Sequence, residues 1–215
     1  MDKVLSTLIF LCLFIASYAQ DHDAELVLQE SNISVKNGKL IKSIYYEIKI
    51  NNRNGEKFTK VSIPYSSLVK VSKIEGYIKD NYGIIIKKLG KGDITDKSAI
   101  SDYSLYEDNY IKEFTLKHNV YPYSICYSYQ LQQEEFLTID YWLPVIDYET
   151  PTLKAVLKVE VPKGFKIFYK SQFTDSLKSD STDLLVKYTW IASYKNIIEP
   201  ETSSPKITNF PRFKI

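Results

Sequence analysis

Alternation with a period of two runs through this chain and restricts its fold more than any other feature. In Ile44-Tyr45-Tyr46-Glu47-Ile48-Lys49-Ile50, the residues Ile44, Tyr46, Ile48 and Ile50 fall on one side of an extended backbone. Leu153, Ala155, Leu157, Val159 and Val161 repeat the pattern, with Lys154, Lys158 and Glu160 mostly opposite. Leu184, Val186, Tyr188 and Trp190 repeat it near the end. Successive side chains of a strand point to opposite faces, so these segments read as strands with one buried face. No window of a dozen residues keeps the three-and-four spacing of a helix.

The punctuation agrees with strands. Asn37-Gly38 between two alternating segments is a hairpin signal. Asn54-Gly55, Asn81-Tyr82-Gly83, Gly90-Lys91-Gly92 and Pro162-Lys163-Gly164 mark further turns. Lys91–Glu107 is the least regular stretch and suits a short helix or a wandering loop. The expectation is an all-β domain, most simply a two-sheet antiparallel β-sandwich. Tyr46, Ile48, Leu157, Val159, Tyr188 and Trp190 are expected in its core.

The first twenty residues follow different rules. Lys3 precedes an apolar run from Val4 to Ala16, and Ser17 and Ala19 stand three and one residues before a cut after Ala19. This is the pattern of a secretory signal peptide, and the run is shorter than the ~20 residues a spanning helix needs. Cys12 follows Leu11 instead of a small residue, which argues against lipidation. Removing residues 1–19 leaves 196 of the 215 residues. That suits one β-sandwich domain over residues 20–200, with residues 201–215 as an exit segment or edge strand.

Cys126 is then the one remaining cysteine and closes no internal disulfide. An exported chain without disulfides suits a bacterial envelope, whether periplasmic, outer-envelope associated or secreted, better than a eukaryotic extracellular space. Asn32-Ile33-Ser34 matches a glycosylation sequon and reads as chance in that setting. The chain has 28 basic and 26 acidic residues, both interspersed, so no nucleic-acid or membrane footprint stands out. No membrane span is expected once the signal is cut.

Cys126 is the obvious candidate nucleophile, and it needs a base within hydrogen-bond reach. Only His22 and His118 exist. If His118–Pro122 were a hairpin turn, Phe114 would pair with Cys126. His118 would then lie roughly 13 Å away along the strand, at ~3.3 Å per residue. Cys126 therefore reads as a small residue on a sheet face. Two histidines without a CxxC or HExxH motif make no zinc site. Asp93, Asp96, Asp102 and Asp108 match no calcium-loop spacing and read as solvated loop carboxylates. The expected catalytic, metal and cofactor sites are none. The 18 tyrosines, Tyr18 among them in the leader, read mainly as half-buried strand residues. An exposed row of them is suited to stacking on glycan or protein.

Five segments carry a family resemblance. Leu105-Tyr106-Glu107-Asp108 precedes a basic strand, Tyr121-Pro122-Tyr123 opens an alternating strand, and Trp142 is followed by Pro144. Tyr188-Thr189-Trp190 comes later, before the Ile198-Glu199-Pro200-Glu201 exit. Together, from roughly Ala24 to Phe213, they resemble a β-sandwich domain of unknown function. That domain precedes transglutaminase-like domains in exported proteins of Gram-negative bacteria. The resemblance implies structural roles for Leu105, Tyr106, Asp108, Tyr121, Pro122, Tyr123, Trp142, Pro144, Tyr188 and Trp190. It implies no nucleophile at Cys126, because the family position usually holds a polar residue. In the family a core bearing Cys, His and Asp follows; this sequence reaches Ile215 without one, so the expected role is a non-catalytic accessory domain and not an enzyme. Its expected partner is a transglutaminase-like domain or protein, with Phe210 and Phe213 of the hydrophobic tail as a possible interface. A free-standing glycan- or protein-binding module is the alternative.

Overall fold

The computed structural model describes residues 22–98, 109–134, 136, 138–172, 177–194 and 212–214. Residues 1–19, expected as a signal peptide, and Leu105, Tyr106, Asp108 and Phe210 lie outside them. Fourteen strands are present among the described residues. They are β1 (Ala24–Lys36), β2 (Lys39–Ile50), β3 (Lys60–Ser66), β4 (Val69–Lys79), β5 (Ile85–Lys88), β6 (Thr95–Ser98) and β7 (Asn109–Thr115). Then come β8 (Tyr123–Gln133), β9 (Tyr141–Trp142), β10 (Thr152–Pro162), β11 (Lys170–Gln172), β12 (Leu177–Ser181), β13 (Leu185–Tyr194) and β14 (Arg212–Lys214). Two short 3-10 turns, Arg53–Phe58 and Lys91–Asp93, are the described helical residues.

The strands are mostly joined into one large mixed sheet where two packed antiparallel sheets were expected. Its order is β12-β13-β10-β1-β2-β8-β4-β3-β7-β6, with β5 added beside β4. A second, three-stranded sheet runs β11-β14-β9. The pairing of β1 with β10 is parallel, from Leu26↔Thr152 to Ser34↔Glu160. A parallel pair needs a long crossover, supplied here by everything between β1 and β10, so alternation within either strand could not announce it.

The large sheet keeps one apolar face, as the alternation requires. One core cluster gathers Ile33, Leu40, Leu157, Val159, Trp190 and Ala192, with Ile139 and Trp142 arriving from the segment before β10. The other gathers Ile48, Ile50, Ile78, Tyr123 and Ile125 with Val61, Ile63 and Phe114. β3 and β4 share a single pair, Ser66↔Val69, and then part. That separation lets β3 and β7 lay Val61, Ile63 and Phe114 over the strands beside them. Each fully buried aliphatic side chain contributes about 1.5–3 kcal/mol by leaving water, so the two clusters dominate stability.

The expected core is close to the observed one. Ile48, Leu157, Val159 and Trp190 are buried. Tyr46 and Tyr188 are half-buried and pack against the clusters, and the Tyr46 hydroxyl accepts from Gln29 Nε2 at 3.0 Å. Leu153 departs from its row and is exposed, since the register slips between Thr152 and Ala155 and buries Thr152 instead. Leu184 is exposed in the turn before β13. Asn37 and Gly38 both have positive φ, 52° and 74°, as a tight two-residue hairpin demands. Asn54-Gly55 is no hairpin; it lies in the 3-10 turn capped by the Asn52 side chain, which accepts from the Asn54 and Gly55 N–H groups.

Candidate functional site

Cys126 sits in β8 between two strands, not opposite β7. It faces Glu47 of β2 and Tyr77 of β4, so the assumed hairpin pairing with Phe114 is wrong. Phe114 and β7 pair with β3 instead. On that polar face of the sheet, Lys79 Nζ donates to Glu47 Oε1 and Oε2 at 3.2 and 3.3 Å. Tyr45 OH donates to Glu47 Oε2 at 3.2 Å and lies 3.5 Å from Tyr77 OH. Cys126 is fully buried beneath this group.

The electrostatics oppose a thiolate. Burial pushes the Cys126 thiol above its ordinary value, against the opposing pull of Tyr45 and Lys79. Burial, then the bond to Tyr77, lifts the Tyr45 phenol far above its usual range, so it is no base at neutral pH. Glu47 is already held by Lys79. His118 packs edge-on against Tyr123, 5.8 Å between ring centroids. Tyr123 and Cys126 differ in strand parity, so that histidine belongs to the opposite side of the sheet. A protonated, enclosed thiol is a poor nucleophile.

The carboxylates serve the fold. Asp93 Oδ2 accepts the Gly90 N–H at 2.9 Å. Asp96 accepts from Tyr65 OH at 2.6 Å and from Lys112 Nζ at 2.5 Å. Asp102 and Asp108 lie outside the described residues. Among the described residues, no group of three or more His, Cys, Asp or Glu side chains is placed to hold a metal ion.

The remaining motif residues that can be placed build corners and core. The Tyr121–Pro122 peptide is cis, Tyr121 donates to Glu56, and its ring lies 5.6 Å from that of the buried Tyr123. Trp142 is buried in β9, Pro144 accepts from Thr152 Oγ1 at 2.9 Å, and Tyr188 stacks on Trp190 at 5.9 Å. Of the tail, the backbone of Phe213 pairs with Trp142 in β9 and with Ser171 in β11.

One recess was not foreseen. A cleft of about 360 Å³ opens between β2, β8, β4 and β3, walled by Leu40, Val69, Leu131 and Ile139 and edged by Tyr65. Tyr65 stacks on Tyr110 at 5.3 Å. At its end, Lys42 Nζ donates to Asp140 Oδ1 at 2.5 Å, in a pair whose side chains are 19% and 7% exposed. Lys42 occupies the apolar row of β2 between Leu40 and Ile44, and that break in the pattern is a signal the sequence carries. Its partner Asp140, 98 residues away, is not.

These features define a β-rich domain whose Cys126 is buried and whose recess is small. The chain belongs to a family of domains of unknown function with a solved structure, DUF3857, whose model matches residues 36–196. No curated protein matches it. Among solved structures it is similar to a Parabacteroides distasonis protein provisionally described as a protease, with a TM-score of 0.77 and 13% identity. The match covers 89% of this chain and 40% of that one, so the chain spans less than half of that protein. Legionella pneumophila aminopeptidase A, in complex with aspartic acid, matches at 11% identity over 92% of this chain and 22% of its own. Its TM-score is 0.40. At such identities the likeness concerns the fold alone.

Proposed function

We propose that this chain is an exported, non-catalytic accessory domain of the transglutaminase-associated β-sandwich type, which docks on a transglutaminase-like domain. The observation that carries the reading is the Parabacteroides distasonis likeness: nearly all of this chain corresponds to 40% of a longer protein. A fold that recurs as one part of a larger protein suits a domain that works beside another. The enclosed, protonated Cys126 supports the non-catalytic half of the reading, because the thiol most suited to attack is held out of reach.

The test has two arms. The purified domain is titrated calorimetrically against a transglutaminase-like domain encoded in the same genome, and is assayed alone on peptide and amide substrates. Saturable binding without turnover supports the proposal. Turnover by the domain alone that disappears in Cys126→Ser would overturn it. A second reading, a free-standing glycan- or protein-binding module, is favoured by the cleft beside Tyr65 and the Lys42–Asp140 pair. Weaker sugar binding by Tyr65→Ala on a glycan array is its signature.

A further inference from the structure

The turn between β4 and β5 carries the densest exposed apolar group among the described residues. Tyr82 is 87% exposed, Ile84 61%, Ile85 47% and Ile86 42%. Isolated exposed apolar side chains are ordinary, but four within five residues on one tip are not. The tip is well built. Asp80 Oδ1 accepts the Tyr82 and Ile84 N–H groups at 2.9 Å each, and Gly83 takes a positive φ of 83°. The apolar side chains are therefore held outward by a turn with its own hydrogen bonds.

Immediately behind them stand Lys87 and Lys88 in β5, and then Lys91, all exposed. None of the three takes part in an ion pair among the described residues, whereas ten other lysines do. The order is thus an apolar tip, turned by Asp80, followed by three lysines that form no ion pair among the described residues.

We infer that this hairpin tip inserts into the surface of an anionic lipid bilayer. Among the described residues β5 pairs only with β4, and the neighbours Ile85 and Ile86 point to opposite faces of the ribbon. Both faces and the tip are exposed at once. A partner strand added at the free edge would satisfy backbone groups but leave Ile85, Ile86 and Tyr82 largely in water. A lipid interface surrounds the tip and covers all of them. The tyrosine then sits at headgroup level, and the lysines meet the negative surface. The apolar residues and the lysines are contiguous in sequence, and the exposure of Tyr82 and Ile84–Ile86 is what the fold adds. The inference is independent of the accessory-domain reading, because that reading concerns a protein partner and this one a lipid surface.

The experiment uses the full mature chain and vesicles of phosphatidylcholine with about one third phosphatidylglycerol, read by co-sedimentation. Binding is expected on these vesicles and not on pure phosphatidylcholine. Removing one lysine, as in Lys88→Gln, is expected to weaken binding roughly fivefold. Ile84→Ser with Ile86→Ser is expected to weaken it by roughly tenfold or more, with an unchanged circular dichroism spectrum. In Tyr82→Trp, tryptophan emission is expected to shift to the blue on vesicle addition. Absence of sedimentation, binding that survives the double variant, or no shift from Tyr82→Trp overturns the inference. So does concentration-dependent dimerisation lost in the double variant without any lipid binding, which would mark the tip as a protein contact.

Discussion

Replacing Gly55 by alanine places one methyl group against backbone that has little room to retreat. A Cβ at Gly55 would stand 2.2 Å from the carbonyl oxygen of Asp23 and 3.0 Å from its carbonyl carbon. Separations under 3.0 Å essentially do not occur, so the two segments must part by most of an ångström. The Asp23 oxygen is engaged: it accepts the Asn51 N–H at 3.0 Å. The Asp23 side chain also accepts from Asn52 Nδ2 at 2.8 Å, and Asn52 caps the turn. Parting the segments costs about 1–3 kcal/mol as overpacking. Weakening the Asn51 bond adds about 1 kcal/mol. Reduced freedom of the unfolded chain returns about 0.4–1 kcal/mol. The net loss is about 1–4 kcal/mol, or roughly 2–16 °C in Tm for a chain of this size. Differential scanning fluorimetry reads it directly. Gly92→Ala is the control, because a Cβ there meets nothing within 4 Å and the backbone is not left-handed. If Gly55→Ala melts within a degree of Gly92→Ala, the close approach at Asp23 is not a constraint and the reasoning fails.

Cys126→Ser is expected to cost at most ~1–2 kcal/mol and leave any binding intact, whereas an electrophile should label Cys126 only after unfolding. Rapid stoichiometric labelling of the native chain would contradict the enclosed thiol. Lys42→Met leaves Asp140 enclosed without its cation and is expected to lower stability by about 3 kcal/mol in urea titration, more than Lys42→Met with Asp140→Asn. On acidification, stability is expected to fall below the ordinary carboxylate range. Bonds from Lys117 and Tyr121 hold Glu56 low, those from Lys112 and Tyr65 hold Asp96 low, and those from Lys97 and Lys60 hold Glu113 low. Lowered folded-state values stabilise above the unfolded values, near pH 4, and lose that contribution as pH drops through the folded ones. Glu113→Gln should flatten this dependence; an unchanged melting profile between pH 5 and pH 3 would refute it. Deleting residues 209–215 removes β14, whose backbone bridges β11 and β9, and is expected to lower Tm. A tail serving only as a docking surface would leave Tm unchanged.

The sequence by itself determined the strands and the buried face. Side-chain direction alternates in any extended chain, so the rows Ile44-Ile48-Ile50 and Ala155-Leu157-Val159-Val161 state which side leaves water before any partner is known. The Asn37-Gly38 hairpin was equally legible, because positive φ is a local demand met by local residue types. The neighbours of each strand were not. The parallel pairing of β1 with β10 joins residues 126 positions apart, and no local propensity selects among edges that all present the same N–H and C=O groups. The same gap explains Cys126, whose strand and parity were readable but whose surroundings, Glu47, Tyr77 and Lys79, came from two other strands. It explains the cleft as well, since Lys42 stood out in its row while Asp140 became its partner only when the segment before β10 packed back over the sheet. Local chemistry fixed which side chains seek burial; the competition among equivalent edges and faces, resolved only in the assembled sheet, fixed what they meet there.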